Sequence, residues 1–176
     1  MGYIGYAGGT MNINTKKVDS RREVKLETLD DLAAEADQIA QAEAAGKVQP
    51  LGNWSPGQNL QHLARFMTCS LDGFEGKLPI MLRLFGRILR VVLGKRIFLS
   101  PPPPGYKLPT TVSFGPAVEI SAADGAAELC AVIERIKDGG VFIPASPLLG
   151  RITREQWIEL HLRHAELHLS FVGLEG

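Results

Sequence analysis

Apolar residues at Leu29, Leu32, Ala33, Ala36, Ile39 and Ala40 return at steps of three and four, the spacing of one face of an α-helix. Thr28 followed by Asp31 is a capping-box pair, in which a hydroxyl and a carboxylate satisfy the orphan N–H groups of a first turn, and Gly46 is a stop signal. The same start recurs at Ser55 with Gln58, where Pro56 takes the first helical position, at Ser121 with Asp124, and at Thr153 with Gln156. With a further apolar stretch in the middle of the chain, the pattern predicts helices over about 28–45, 56–75, 79–98, 122–138 and 154–173. The third is the weakest, because Gly86 and Gly94 each cost about 1 kcal/mol relative to Ala.

Between the third and fourth helices lies a long connection, residues 99–121, with prolines at 101–104, 109 and 116. A four-proline run favours extended polyproline II and cannot continue a helix. Period-two alternation is not sustained anywhere, although Thr110 to Phe114 could form a short edge strand. Residues 1–20 are Gly-rich and then polar, with no period, and are expected to form a mobile arm ahead of a single domain over 21–176. The expected fold class is all-α, a four-helix bundle with one long Pro-rich crossover connection.

Composition narrows the function classes. Lys plus Arg and Asp plus Glu both number 19, so the formal charge is zero, and a nucleic-acid scaffold needing a basic excess is excluded. Two cysteines, Cys69 and Cys130, are too few for a disulfide-stapled secreted scaffold and suit a cytoplasmic protein. The opening MGYIGYAGGT lacks the basic and apolar regions of a signal peptide, and Tyr6 stands where myristoylation needs Ser or Thr. The apolar stretch from Leu78 to Leu99 is interrupted by Arg83, Arg87, Arg90, Lys95 and Arg96. Each cation would cost about 2.5–3.5 kcal/mol at a membrane centre, so a transmembrane span is rejected.

The histidines carry the candidate chemistry. His161, His164 and His168 fall at steps of three and four on the last helix, on a stripe that Trp157 and Phe171 extend and so mark as inward-facing. Imidazoles on a buried face are costly unless hydrogen-bonded or bound to something. His164 and His168 can present two nitrogens to one metal ion, and His62, from the second helix, could supply a third. Three histidines leave coordination positions open, the catalytic rather than the structural zinc arrangement. A polar layer of satisfied core histidines is the plainer reading of the same residues. His161 is open between an alternative ligand, a partner behind the ligands and a pocket donor.

Other chemistries lack their signatures. No His has a Glu three residues before it, as di-iron bundles require, and neither HExxH nor paired CxxC occurs. Gly-x-Ser-x-Gly, P-loop and GxGxxG motifs are absent. Cys69 lies seven residues after His62 on the same helical face and could approach the ion, although a buried structural thiol is the more ordinary reading. Glu166 sits about 200° around the helix from both His164 and His168 and is expected to face solvent.

Two segments carry a family resemblance. Asn53-Trp54-Ser55-Pro56-Gly57-Gln58, followed by His62, resembles the opening of DinB/YfiT-like proteins. Thr153-Arg154-Glu155-Gln156-Trp157, followed by Leu160-His161, His164 and His168-Leu169, resembles the last helix of their DUF1569 branch, and the Pro-rich middle, residues 99–116, fits it too. Together the resemblance spans roughly residues 25–173. It implies a DinB-like four-helix bundle binding a divalent metal such as Zn2+ or Ni2+ through His62, His164 and His168. It also implies kinship with thiol-dependent transferases and isomerases that use a low-molecular-weight thiol. The chain departs from the branch pattern His-His-Leu-x-Gln-Phe, having Leu167-His168-Leu169-Ser170-Phe171-Val172 instead.

Two functions are expected from these readings. The first is a metal-dependent thiol transferase or hydrolase acting on a small-molecule substrate, with no general base assigned. The second is a catalytically silent structural or interaction protein, and in either case the chain could act as a homodimer. The second draws on the third helix, where Arg83, Arg87 and Arg90 line one side opposite Leu82, Phe85, Leu89 and Val92. Such a basic amphipathic helix could lie on an anionic membrane or an acidic partner. The ordinary expectation is a bundle helix with a solvated basic face.

Overall fold

Three of the four helix starts close as full capping boxes. The Thr28, Ser55 and Thr153 hydroxyls accept from the backbone N–H three residues on, and the Asp31, Gln58 and Gln156 side chains accept from the cap N–H in return. At Ser121 the hydroxyl accepts from Asp124 N but donates to the Asp124 carboxylate, which therefore does not reach the cap backbone. These caps open α1 (Leu29–Ala44), α2 (Pro56–Asp72), α4 (Ala122–Lys137) and α5 (Arg154–Leu169), while α3 (Ile80–Leu93) begins after Pro79 without a side-chain cap. The structure is a computed structural model that describes residues 13–76, 78–105, 115 and 119–175. Of these, 58% are helical, in five helices with a few short strands. The expected edge strand at Thr110 to Phe114 and most of the expected arm lie outside the described residues.

Helix ends fall short of the periodic pattern wherever a glycine takes a positive φ. Gly46, at φ 71°, closes α1: Gly46 N donates to Glu43 O and Lys47 N to Ala42 O, the paired bonds of a Schellman turn. Gly73, at φ 110°, ends α2 at Asp72 instead of residue 75. Gly94, at φ 54°, cuts α3 at Leu93, and a 3-10 turn over Gly94–Phe98 replaces its expected last turn. Helix α5 ends at Leu169 because the chain turns there into a strand. β4 (Val172–Leu174) pairs antiparallel with β1 (Val48–Pro50), register Val48 to Leu174 and Pro50 to Val172. A second small ladder joins β2 (Ala145–Ser146) to β3 (Gly150–Arg151).

Helix α2 packs along α4 and against α5, and α1 packs on α4, α2 and α5. Their shared interior holds Leu32, Ala36 and Ile39 from α1, Leu60 and Met67 from α2, Leu129 and Ile133 from α4, and Trp157, Ala165 and Leu169 from α5. The α2–α4 approach is close enough to demand glycine on both sides. A Cβ on Gly57 would sit 2.3 Å from Ile120 O, and one on Gly125 would sit 2.6 Å from Gly57 O. Gly57→Ala is therefore expected to force the two helices apart and to cost about 1–3 kcal/mol, read as a lower denaturation midpoint with an unchanged slope. A wild-type midpoint would show that the backbones relax freely there.

Two expected faces differ in the structure. Glu166 is buried, with 4% exposure, because residues 22–27 cross the side of α5 that lies away from the histidines. Its carboxylate accepts from Leu26 N at 2.9 Å and pairs with Arg163, whose guanidinium also donates to Leu26 O. It is a clamp for that strap. In α3 the expected inward face is split: Leu82 and Leu89 are half-buried, while Phe85 is 56% and Val92 73% exposed. Gly86 is the buried residue of α3: a Cβ there would lie 2.5 Å from Leu148 O. Arg90, on the supposedly solvated face, donates to the Leu149 and Arg151 carbonyls. The missing side chain at Gly86 lets the helix seat on this flank. Among the described residues no helix is long and apolar enough to cross a membrane.

Candidate metal centre

His62 lies on the second turn of α2, and His164 and His168 lie one turn apart on α5, so the α2–α5 contact brings all three together. One ligand atom from each falls within 4.8 Å of the others. His62 Nε2 and His164 Nε2 are 3.4 Å apart. That separation equals the edge, about 3.3 Å, of a tetrahedron with metal–nitrogen bonds of about 2.0–2.1 Å. The group contains no carboxylate or thiolate.

Neighbouring side chains orient the rings. Asn59, one turn before His62, donates through Nδ2 to Ser55 O at 3.0 Å and Trp54 O at 3.4 Å. Its carbonyl oxygen is thereby turned toward His168 Nδ1, 3.4 Å away. A proton on that Nδ1 leaves the lone pair on Nε2, the outer-partner arrangement usual for ligating histidines. Trp54 stacks on His168 at 5.3 Å and 10°, and Phe66 meets His164 edge-on at 4.7 Å. His62 is buried and His164 and His168 are half-buried, so the cluster lies between these aromatic walls with its outer side toward the surface.

The electrostatics disfavour protonation. Burial first, and then the neighbouring imidazoles, push His164 and His168 well below the usual histidine range. His164 Nδ1 is out of contact with water and has no hydrogen-bond partner among the described residues. Two rings kept neutral by burial and converging with His62 are ready to offer lone pairs to a cation, so the residues present suit a divalent metal.

His161 stands behind the cluster rather than in it. Ser70 Oγ donates to Met67 O, so the 2.9 Å contact with His161 Nε2 is an N–H donated to Ser70. The ring forms a triangle with Trp157 at 5.6 Å and Phe142 at 5.9 Å, and burial pushes its pKa down to about 3. Its Nδ1 has no partner among the described residues. Cys69 is half-buried, outside the group, and burial raises its thiol above the ordinary value, with Glu75 and Asp72 adding to the effect. Phe171 lies beyond the end of α5, beneath the Arg21 guanidinium at 4.9 Å.

Trp54, Asn59 and Phe66 were not expected at the site from periodicity. Asn59 and Phe66 stand three residues before and four after His62, on one face of α2, and that spacing was the available signal.

The fold and the cluster together define a mostly helical protein with a three-histidine group between two of its helices. The chain belongs to the DUF1569 family, described as proteins of unknown function, whose model matches residues 18–174. No curated protein and no solved structure matches it.

Proposed function

We propose that this chain is a DinB-like metalloprotein that holds one divalent cation, such as Zn2+ or Ni2+, through His62, His164 and His168. On this reading residues 21–176 form one DinB-like domain behind an arm at 1–20. Helices α1, α2, α4 and α5 are its four-helix bundle, and residues 99–121 are the long crossover. The observation that carries the metal assignment is three imidazoles from two helices whose ligand atoms lie within 4.8 Å of one another, two of them kept neutral by burial. Asn59 holds the His168 ring, and Trp54 and Phe66 limit water around the cluster.

The activity proposed is a metal-dependent thiol transferase or hydrolase reaction on a small molecule. A divalent ion on three neutral ligands keeps its positive charge and open positions, supplying Lewis acidity toward water or a thiolate. His62, His164 and His168 contribute fixed nitrogens and no proton transfer. Glu166 is excluded as a base because its carboxylate is spent on Leu26 and Arg163, on the opposite side of α5.

Elemental analysis of protein purified without a His tag should find one divalent ion per chain. Cobalt-loaded protein should develop a sulfur-to-metal charge-transfer band on adding glutathione, mycothiol or bacillithiol, and His164→Ala protein should not. Absence of metal sinks the whole reading. Metal without the band sinks the thiol reaction and leaves hydrolysis.

A further inference from the structure

Helix α3 turns an apolar arc away from the protein. Ile80, Met81, Phe85, Ile88, Val91 and Val92 are each at least 52% exposed, and Val91 reaches 83%. At 3.6 residues per turn they share an arc of roughly 140°, with no polar side chain inside it. Exposed Arg87 lies at the border of the arc, and exposed Lys95 and Arg96 follow in the 3-10 turn. The opposite side of the helix is already seated. Gly86 lies against Leu148, Arg90 holds the Leu149 and Arg151 carbonyls, and Phe98 anchors the following turn in the core. The orientation is therefore built into the packing, and the outward arc cannot turn inward without undoing those contacts.

We propose that α3 docks the protein on an anionic lipid surface, lying flat with this arc in the headgroup layer. Charge selects the partner. The chain as a whole is neutral, yet between Glu75 and Glu119 it has no acidic residue and seven cations: Lys77, Arg83, Arg87, Arg90, Lys95, Arg96 and Lys107. An anionic surface complements that segment and gains about 1 kcal/mol per nearby cation, a factor of about five in affinity. A second copy does not complement it, because a two-fold contact through α3 brings the two basic segments together and neither holds an acid to meet Arg87, Lys95 and Arg96. A protein partner is also disfavoured, because the arc offers no side-chain hydrogen bond, whereas protein interfaces carry about one per 100–200 Å². Length then fixes the geometry. Fourteen residues rise about 21 Å, short of the ~30 Å needed to span, so the helix lies in the interface.

Flotation of the full chain with vesicles of phosphatidylglycerol and phosphatidylcholine in equal parts tests this. Binding should be clear at low salt, weaken steeply as salt rises, and be much lower on phosphatidylcholine alone. Two variants separate the contributions. Phe85→Ser/Ile88→Ser removes apolar contact from exposed positions, and Arg87→Gln/Lys95→Gln/Arg96→Gln removes the exposed charge. Each should weaken binding by roughly 100-fold while the helical circular dichroism stays that of the wild type. Three outcomes overturn the proposal. One is failure to float with either vesicle, and another is equal binding to both at all salt concentrations. The third is a dimer that Phe85→Ser/Ile88→Ser dissociates without any vesicle binding by the wild type, which would make the arc a contact between copies.

Discussion

Alanine at His62, His164 or His168 is expected to abolish stoichiometric metal, one variant at a time, while His161→Ala keeps it. Each of the three supplies one of the converging nitrogens, and the group offers no carboxylate to take over a lost position. Two remaining imidazoles bind a divalent ion far more weakly than three. Asn59→Leu should fall between: the His168 ring loses the oxygen that orients it, at a cost of about 10–100-fold in affinity. The measurements are metal per chain after dialysis of untagged protein, and competition against a chelator. Stability should follow occupancy, since a ligand bound only to the folded state adds about 2.7 kcal/mol at 100 times its dissociation constant. Chelation should thus lower the melting temperature of the wild type and leave that of His164→Ala unchanged. Loss of metal from His161→Ala with retention in His168→Ala would assign the ion to the neighbouring pair at three-residue spacing.

The parts of this protein legible in its sequence are those fixed by local chemistry. Helix starts at Thr28, Ser55, Ser121 and Thr153 were visible because a cap needs just the residue and its neighbours within one turn. The stripe His161, His164, His168 was visible because helical period alone puts those residues on one side. What escaped depends on partners distant in the chain. The β1–β4 ladder has three residues per strand, too few to show alternation, and its strands lie more than a hundred residues apart. Glu166 was correctly placed away from the histidines, yet α5 is covered on both sides, so that side is buried too. The expected apolar face of α3 is split between half-buried Leu82 and Leu89 and exposed Phe85 and Val92, because a helical wheel cannot tell which side the body takes. Gly86 settled that, through a contact with Leu148 more than sixty residues away.

The second large effect is on acid stability, and His161 isolates it. The buried ring titrates at about 3 when folded, against 6.5 for a free histidine. Between those values the unfolded chain binds the proton and the folded protein does not. The stability contributed by the neutral ring is therefore fully present above pH 6.5 and is lost as the pH falls toward 3. The loss is about 1.4 kcal/mol per pH unit, or roughly 2 kcal/mol by pH 5. His161→Leu should remove this one proton from the balance. Leucine is close in size, Ser70 keeps its bond to Met67 O, and the unpartnered Nδ1 disappears, so stability at pH 7 should change little. His164 and His168 add slopes of the same sign, because their values are lowered as well, and they remain in the variant. Urea titrations of chelated protein at pH 7, 6 and 5 should therefore give a pH dependence shallower than wild type by about one proton. Parallel profiles for the two proteins would mean that His161 takes up its proton without unfolding the chain. Its unpartnered nitrogen would then have access to water in solution, and its place behind the cluster would be an open one.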